Sequence, residues 1–313
     1  MEQMNYELIR ILVALIGCGA AAYQDYKTSF IDEKIIYMMI AIGLLMNLFP
    51  FLVEDNYLIV YALIVSIIIL AFGYLFYKKG QLGMGDVLLF VGIQQLLPLA
   101  PSSLKIVDAV DINLLISAIP KENLFLFGYM NIFNHMLFFI TIFLVSSFVA
   151  TLGTSLQYAI SLIRSGKKLL PNKILGAASL VFVMIGIAYL YSQFGISVAS
   201  ILFMLLLVSS AFFLTFRDQI LDQIIIRRIP IKEIEDEDIF AIDKMPLGLV
   251  KKYNLQRVLT VSEVKKLREI EKNEGMHLFP VNKVLPRFGP YIFIALVLGI
   301  LFGNIVEMIV LLR

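Results

Sequence analysis

Long uninterrupted apolar runs alternate along this chain with short polar breaks, and the runs are too continuous for half-buried strands. A hydrocarbon core takes about 20 apolar residues of helix per crossing. Runs of that kind fall near 6–24, 34–53, 57–77, 86–99, 129–163, 174–191, 197–216 and 289–311. Strands of a membrane barrel would alternate apolar and polar residues instead. The pattern therefore predicts an all-α polytopic membrane protein with about eight transmembrane helices. The fourth run is short, and the weakly apolar stretch Ile112 to Ile119 beyond it reads as interfacial. The fifth is long for one crossing. The first has no basic region before it and no small-residue cleavage pattern, so it is expected to remain as a helix.

One long polar segment breaks the pattern. Residues 217–288 hold 14 of the 26 Lys and Arg and 12 of the 24 Asp and Glu, so the segment is charged but nearly balanced. Ile224 to Ile234 is rich in β-branched residues and predicts short strands. Thr260-Val261-Ser262-Glu263 predicts a helix to about Glu274, with Thr260 as cap, Glu263 as its capping-box partner and Gly275 as the stop. The organisation expected is a membrane domain over 1–216 with seven helices, a small cytoplasmic α+β domain over 217–288, and a final transmembrane helix in 289–313. The acidic run Glu233 to Asp238 reads as a solvated loop.

Composition agrees with the pattern: 60% of the 313 residues are hydrophobic and 16% charged, against about 45–50% and 25% in soluble domains. The bilayer is the partner this implies, and no nucleic-acid partner is expected. The single cysteine, Cys18, excludes an internal disulfide or a multi-cysteine zinc site and reads as a small apolar helix residue. His135 and His277 are far apart, which argues against a His-rich metal site. His135 reads as a helix–helix hydrogen bond.

Charge sets the expected orientation. With the N-terminus outside, the short inner loops hold Lys27, Lys34, Lys78, Lys79, Arg164, Lys167, Lys168 and Lys173. The outer segments hold Arg10, Lys105, Lys121 and Arg313, together with Glu54, Asp55, Asp108, Asp111 and Glu122. Two acids then fall at the cytoplasmic edge of the membrane. Asp25 closes the first helix, and Asp86 opens the fourth after Lys78-Lys79-Gly80-Gln81-Leu82-Gly83-Met84-Gly85. An ionisable group at the edge of an apolar span is a candidate functional site. Gly83 and Gly85 give the backbone before Asp86 little bulk, so a second chain can approach it closely.

Two carboxyl groups in proximity do not both ionise easily, so one keeps a proton. The charged one can take a proton from water as it attacks a peptide carbonyl. The protonated one can hydrogen-bond the carbonyl oxygen and then protonate the leaving amine. That chemistry needs no cofactor, metal or nucleophilic side chain. The blander readings are an N-terminal cap for Asp86 and a boundary acid for Asp25. Lys27 reads more readily as a charge anchor than as a helper to Asp25. A carrier that binds protons or cations on these acids is the alternative from another class, although carriers place acids near the midplane and show duplicated halves.

The motif resembles the intramembrane GxGD aspartyl proteases and, among them, the type IV prepilin peptidase family. Asp25-Tyr26-Lys27-Thr28 is similar to the family's first catalytic Asp and the polar residues after it. Gly83-Met84-Gly85-Asp86 is similar to the second. Leu259 to Leu267 resembles a helix in the soluble segment of archaeal members, and Phe288-Gly289-Pro290 resembles the entry to the family's last helix. The resemblance implies an aspartic endopeptidase of the plasma membrane, with Asp25 and Asp86 catalytic and Gly83, Gly85 and Lys27 supporting. It implies removal of short basic leaders from prepilin-like or preflagellin precursors at the cytoplasmic face. Bacterial members carry a cysteine-rich loop and N-methylate their product; with one cysteine, this chain resembles the archaeal type, a peptidase without methylation. It differs from the family where Asp32 follows Ile31 and where Leu88 stands two residues after Asp86. The Pro-Ala-Leu tripeptide of the presenilin branch does not occur.

Overall fold

The computed structural model of the protein describes residues 2–54, 57–102, 104, 124–166, 168–234, 238–282 and 287–304. The apolar runs form α1 (Glu2–Thr28), α2 (Glu33–Glu54), α3 (Leu58–Lys78), α4 (Met84–Leu96), α5 (Leu124–Arg164), α6 (Lys173–Phe194) and α7 (Val198–Ile220). A last apolar helix, Gly289–Phe302, closes the bundle. Six of these are long and apolar enough to cross a membrane, whereas α4 and Gly289–Phe302 are shorter. Eight spans with a short fourth were expected, and α4 is short for a local reason. Leu97 leaves the helical region before Pro98, since a residue preceding proline is pushed toward extended backbone. The expected stretch 112–119, residues 235–237 of the acidic run and residues 305–311 of the last span lie outside the described residues. Helix α5 has 41 residues, about 60 Å of rise, twice a hydrocarbon core of about 30 Å.

The short helix α4 is the centre of the bundle. Every residue from Leu89 to Leu96 is buried, as expected of a helix that is apolar all round. It packs against α1, α2 and α3. The approach is close: a Cβ on Gly43 of α2 would stand 2.6 Å from the Gln95 backbone, and one on Gly73 of α3 would stand 2.3 Å from Val87. Small residues at such crossings are what helix packing in lipid uses. On α1 the helical stripe Ile11, Ala14, Cys18 and Ala21 is buried in one cluster with Ile292, Ala295 and Leu296. Helix α6 pairs chiefly with α7 and leaves Leu180, Phe182, Met184 and Ile185 exposed, a surface suited to lipid.

Beyond α7 a π-type turn (Leu221–Ile225) leads into β1 (Ile226–Ile229), β2 (Ile239–Phe240), α8 (Leu247–Tyr253), α9 (Val261–Glu274) and β3 (Phe279–Asn282). The last helix, Gly289–Phe302, is therefore α10. The strands form an antiparallel sheet in the order β1-β3-β2. Phe240, Leu259, Leu267, Ile270, Phe279 and Val281 make a core separate from that of the bundle. Of the expected strand region only Ile226–Ile229 is extended. Helix α9 starts and stops as expected, with Gly275 left-handed at φ 70°. Its capping box, however, is not formed. Thr260 makes no side-chain cap; its hydroxyl meets that of Ser262, and buried Glu263 accepts instead from Gln256 N at 3.0 Å and Lys266 Nζ at 2.6 Å.

Candidate active site

Both acids are held by helix N-termini. The first four N–H groups of a helix have no partner inside it, and the helix dipole there favours an anion. Asp86 is the third residue of α4, and its Oδ2 reaches back to accept the N–H of Gly83 at 3.3 Å. This is one half of a capping box; Gly83 has no side chain to return the other half. Asp25 lies one turn before the end of α1, which runs on to Thr28. Its Oδ2 accepts the N–H of Gly289 at 2.8 Å, a free donor in the first turn of α10. Asp25 is buried and Asp86 half-buried. They are near enough for the charge of Asp25 to act on Asp86.

The turn after α1 brings these ends together. Ser29 is left-handed at φ 59° and its N–H returns to the Asp25 carbonyl at 2.8 Å. Gln24 Oε1 accepts the Asp32 N–H at 2.9 Å, and Asp32 Oδ1 accepts that of Lys34 at 3.0 Å, which starts α2. Between them Ile31 is buried against Gly85 of the motif. From the other side Arg287 donates its Nε to Ser29 Oγ at 3.0 Å and its Nη1 to the Tyr26 carbonyl. Its guanidinium lies 5.6 Å over the Tyr26 ring, and its charge acts on Asp25.

The remaining candidates fall as follows. Lys27 is exposed, with its ammonium 6.0 Å from the Tyr23 ring centre. A Cβ on Gly83 would stand 3.1 Å from Asp86 Oδ2, so a side chain there presses on the acid. One on Gly85 would stand 3.6 Å from Ile31 Cβ, ordinary contact distance, so neighbours in the fold leave room for it. The His135 ring packs on the Tyr61 ring of α3 at 5.1 Å but makes no hydrogen bond to another helix among the described residues. Its Nδ1 faces the Asn131 carbonyl of its own helix at 2.7 Å, while its backbone carbonyl accepts from Gln94 Nε2 at 3.3 Å. Arg10, expected among the outer cations, is buried in the bundle and donates to the Leu96 and Met46 carbonyls at 3.1 and 2.8 Å.

Sequence reasoning missed Gly289 and Arg287 as neighbours of Asp25. The Phe288-Gly289-Pro290 start of α10 was the available signal, because Pro290 supplies no N–H and Gly289 is left as the donor. A Cβ on Gly289 would stand 3.0 Å from Asp25 Oδ2 and 3.4 Å from Ala22 Cα. A side chain at 289 would therefore press on Asp25 where α10 approaches α1.

The fold and site define a multi-pass helical membrane protein with two acids at helix ends, near enough for one charge to act on the other. Residues 12–155 match the type IV leader peptidase family, and that segment holds Asp25, Gly83, Gly85 and Asp86. A curated relative, prepilin peptidase EppA of Methanothermobacter thermautotrophicus, is 35% identical over 103 residues, which cover 33% of this chain and 27% of the relative. The match thus spans about a quarter of that relative's length. No solved structure matches the chain.

Proposed function

We propose that the protein is a membrane aspartic endopeptidase that removes basic leader peptides from prepilin-like or preflagellin precursors. The observation that carries this reading is the pair itself, Asp25 on the N-terminus of α10 and Asp86 on that of α4, each with a single backbone N–H from the described residues. A carboxylate has about four acceptor positions, so each acid keeps capacity for water and substrate. The ionised carboxyl takes a proton from the attacking water. The protonated one hydrogen-bonds the scissile carbonyl oxygen and then gives its proton to the leaving amine, so the pair again holds one proton, now on the acid that took it from water. Gly289 and Gly83 orient the two groups throughout. The Met84–Gly85 backbone is the face a substrate strand approaches, consistent with the room left at Gly85. Lys27 serves as a charge anchor at the membrane edge.

The charge distribution supports an N-terminus outside and the acid pair at the cytoplasmic face of the plasma membrane. A leader's basic residues then stay in the cytosol while its apolar segment enters the bilayer. Residues 217–288 form the soluble unit beside the site, and the product leaves without N-methylation. The test is to incubate the purified protein in detergent with a leader-bearing precursor and weigh the products. One cut, with an unmodified new N-terminus, is expected. Asp25→Asn and Asp86→Asn are expected to abolish it with expression unchanged; full cleavage by both variants overturns the assignment.

A further inference from the structure

Away from the acid pair, the foot of α7 and the small sheet enclose a cavity of about 300 Å³. Its walls divide by chemistry. Phe213, Leu214 and Ile225 supply an apolar side continuous with the lipid-facing surface of α7, and the apolar helix runs to Ile225. Arg217, Lys244 and Arg257 supply a cationic side. The mouth therefore lies where an apolar span meets water.

Two of those cations have carboxylate partners: Lys244 with Asp222 at 2.7 Å, and Arg257 with Asp243 at 3.3 Å. Both pairs are solvent-exposed, and such pairs are weak. Arg217 has no side-chain partner among the described residues. An apolar wall beside a cluster of cations matches an amphiphile with an anionic phosphate on its headgroup.

We infer that this cavity binds the phosphate headgroup of an anionic membrane phospholipid, with an apolar chain along Phe213 and Leu214. Arg217 and Lys244 meet the phosphate. Occupancy also bears on the loop before the glycine motif. Arg257 donates to the Lys79 carbonyl at 3.5 Å, and Ile239, next to the lining residue Phe240, packs on Gly80. The bound lipid thereby fixes the sheet against that loop.

The chain has no tryptophan, so Leu214→Trp at a half-exposed lining position gives a single reporter. Titration of that variant in detergent with phosphatidylglycerol is expected to give a saturable emission shift. Phosphatidylcholine should give none in the same range. Arg217→Gln with Lys244→Gln should weaken binding at least about tenfold, the loss of charge-assisted contacts, with an unchanged thermal midpoint. Native mass spectrometry of the unsubstituted chain reads the same retention without the reporter. A matching response to inorganic phosphate at equal concentration keeps the phosphate site but assigns a soluble anion to it. Equal binding of both lipids, or unchanged binding by the double variant, overturns the proposal. Neither readout involves cleavage, so failure of the peptidase reading leaves this result standing.

Discussion

Two sets of polar groups in the helical bundle are built in opposite ways. In the half near Arg10, donors are matched to specific acceptors across helices. Arg10 joins α1 to the carbonyls of Met46 and Leu96, Asn47 donates to the Gln95 carbonyl, and Gln95 donates to Ser66 Oγ at 2.8 Å. What stays open there is acceptors: Asn47 Oδ1, Gln94 Oε1 and His135 Nε2, the last because Nδ1 must carry the proton that faces Asn131. The acid pair reverses this. Fifteen residues along α1, about 22 Å, Asp25 and Asp86 each accept one backbone N–H and lie near enough for one charge to act on the other. The first set fastens α1, α2, α3 and α4; the second holds in place two acids, the reacting groups of the proposed function, without using up their lone pairs. Burial of a polar residue thus marks chemistry only where its partners leave it unfinished.

The comparison breaks most sharply at the acids. Asparagine keeps an oxygen for the Gly289 or Gly83 N–H, so Asp25→Asn and Asp86→Asn preserve both helix ends while removing the proton exchange. Cleavage is expected to fall at least about 10³-fold, in the range for losing a general acid or base, with the thermal midpoint nearly unchanged. If the midpoint falls instead and activity follows the folded fraction, the acids are only caps. Gly289→Ala tests positioning. The new Cβ would press on Asp25 Oδ2 and Cβ, at 3.0 and 3.1 Å, while keeping the N–H. A displacement of that kind should lower kcat by about 10–100-fold and cost about 1–3 kcal/mol in overpacking. Steady-state kinetics and thermal unfolding on one preparation separate the two losses.

Much of this was legible along the chain, and what was not has a common cause. Hydropathy located the helices, and Gly275 stopped α9 where turn chemistry said it would. The motif located Asp86, and the end of the first apolar run located Asp25. These are local signals, carried by neighbours in sequence. The donor that holds Asp25 stands 264 residues away, and no periodicity reports it. The partners of Arg10 were hidden for the same reason: nothing near it in sequence reports the carbonyls of Met46 and Leu96 that surround it. Glu263 has the spacing of a capping-box partner, but Lys266 one turn on and the Gln256 N–H outcompete the Thr260 end of the helix.

Gln95→Leu sharpens the other half. It removes the contacts to Ser66 and Ala62 but leaves the Gln95 backbone carbonyl for Asn47. A stability loss of about 1–2 kcal/mol is expected, as for hydrogen bonds between helices in lipid, with kcat and KM per folded molecule unchanged. Lost activity at full folding would mean that the polar network reaches the acid pair.

The smallest effect belongs to Arg287, which touches both descriptions. It is exposed, yet its fork ties the Tyr26 carbonyl and Ser29 Oγ at the left-handed turn that follows Asp25. Its charge also acts on Asp25. Arg287→Gln removes the charge and the fork, whereas Arg287→Lys keeps the charge and loses the fork. A loss of about twofold to tenfold in kcat for Gln is expected, as for an exposed charge-assisted contact. If Lys restores the rate, the charge matters to the pair; if Lys is as slow as Gln, the fork matters by holding the turn. Since the substitution leaves Gly289 N–H in place, an effect as large as that of Gly289→Ala would move Arg287 from the supports of the turn into the acid pair's own machinery.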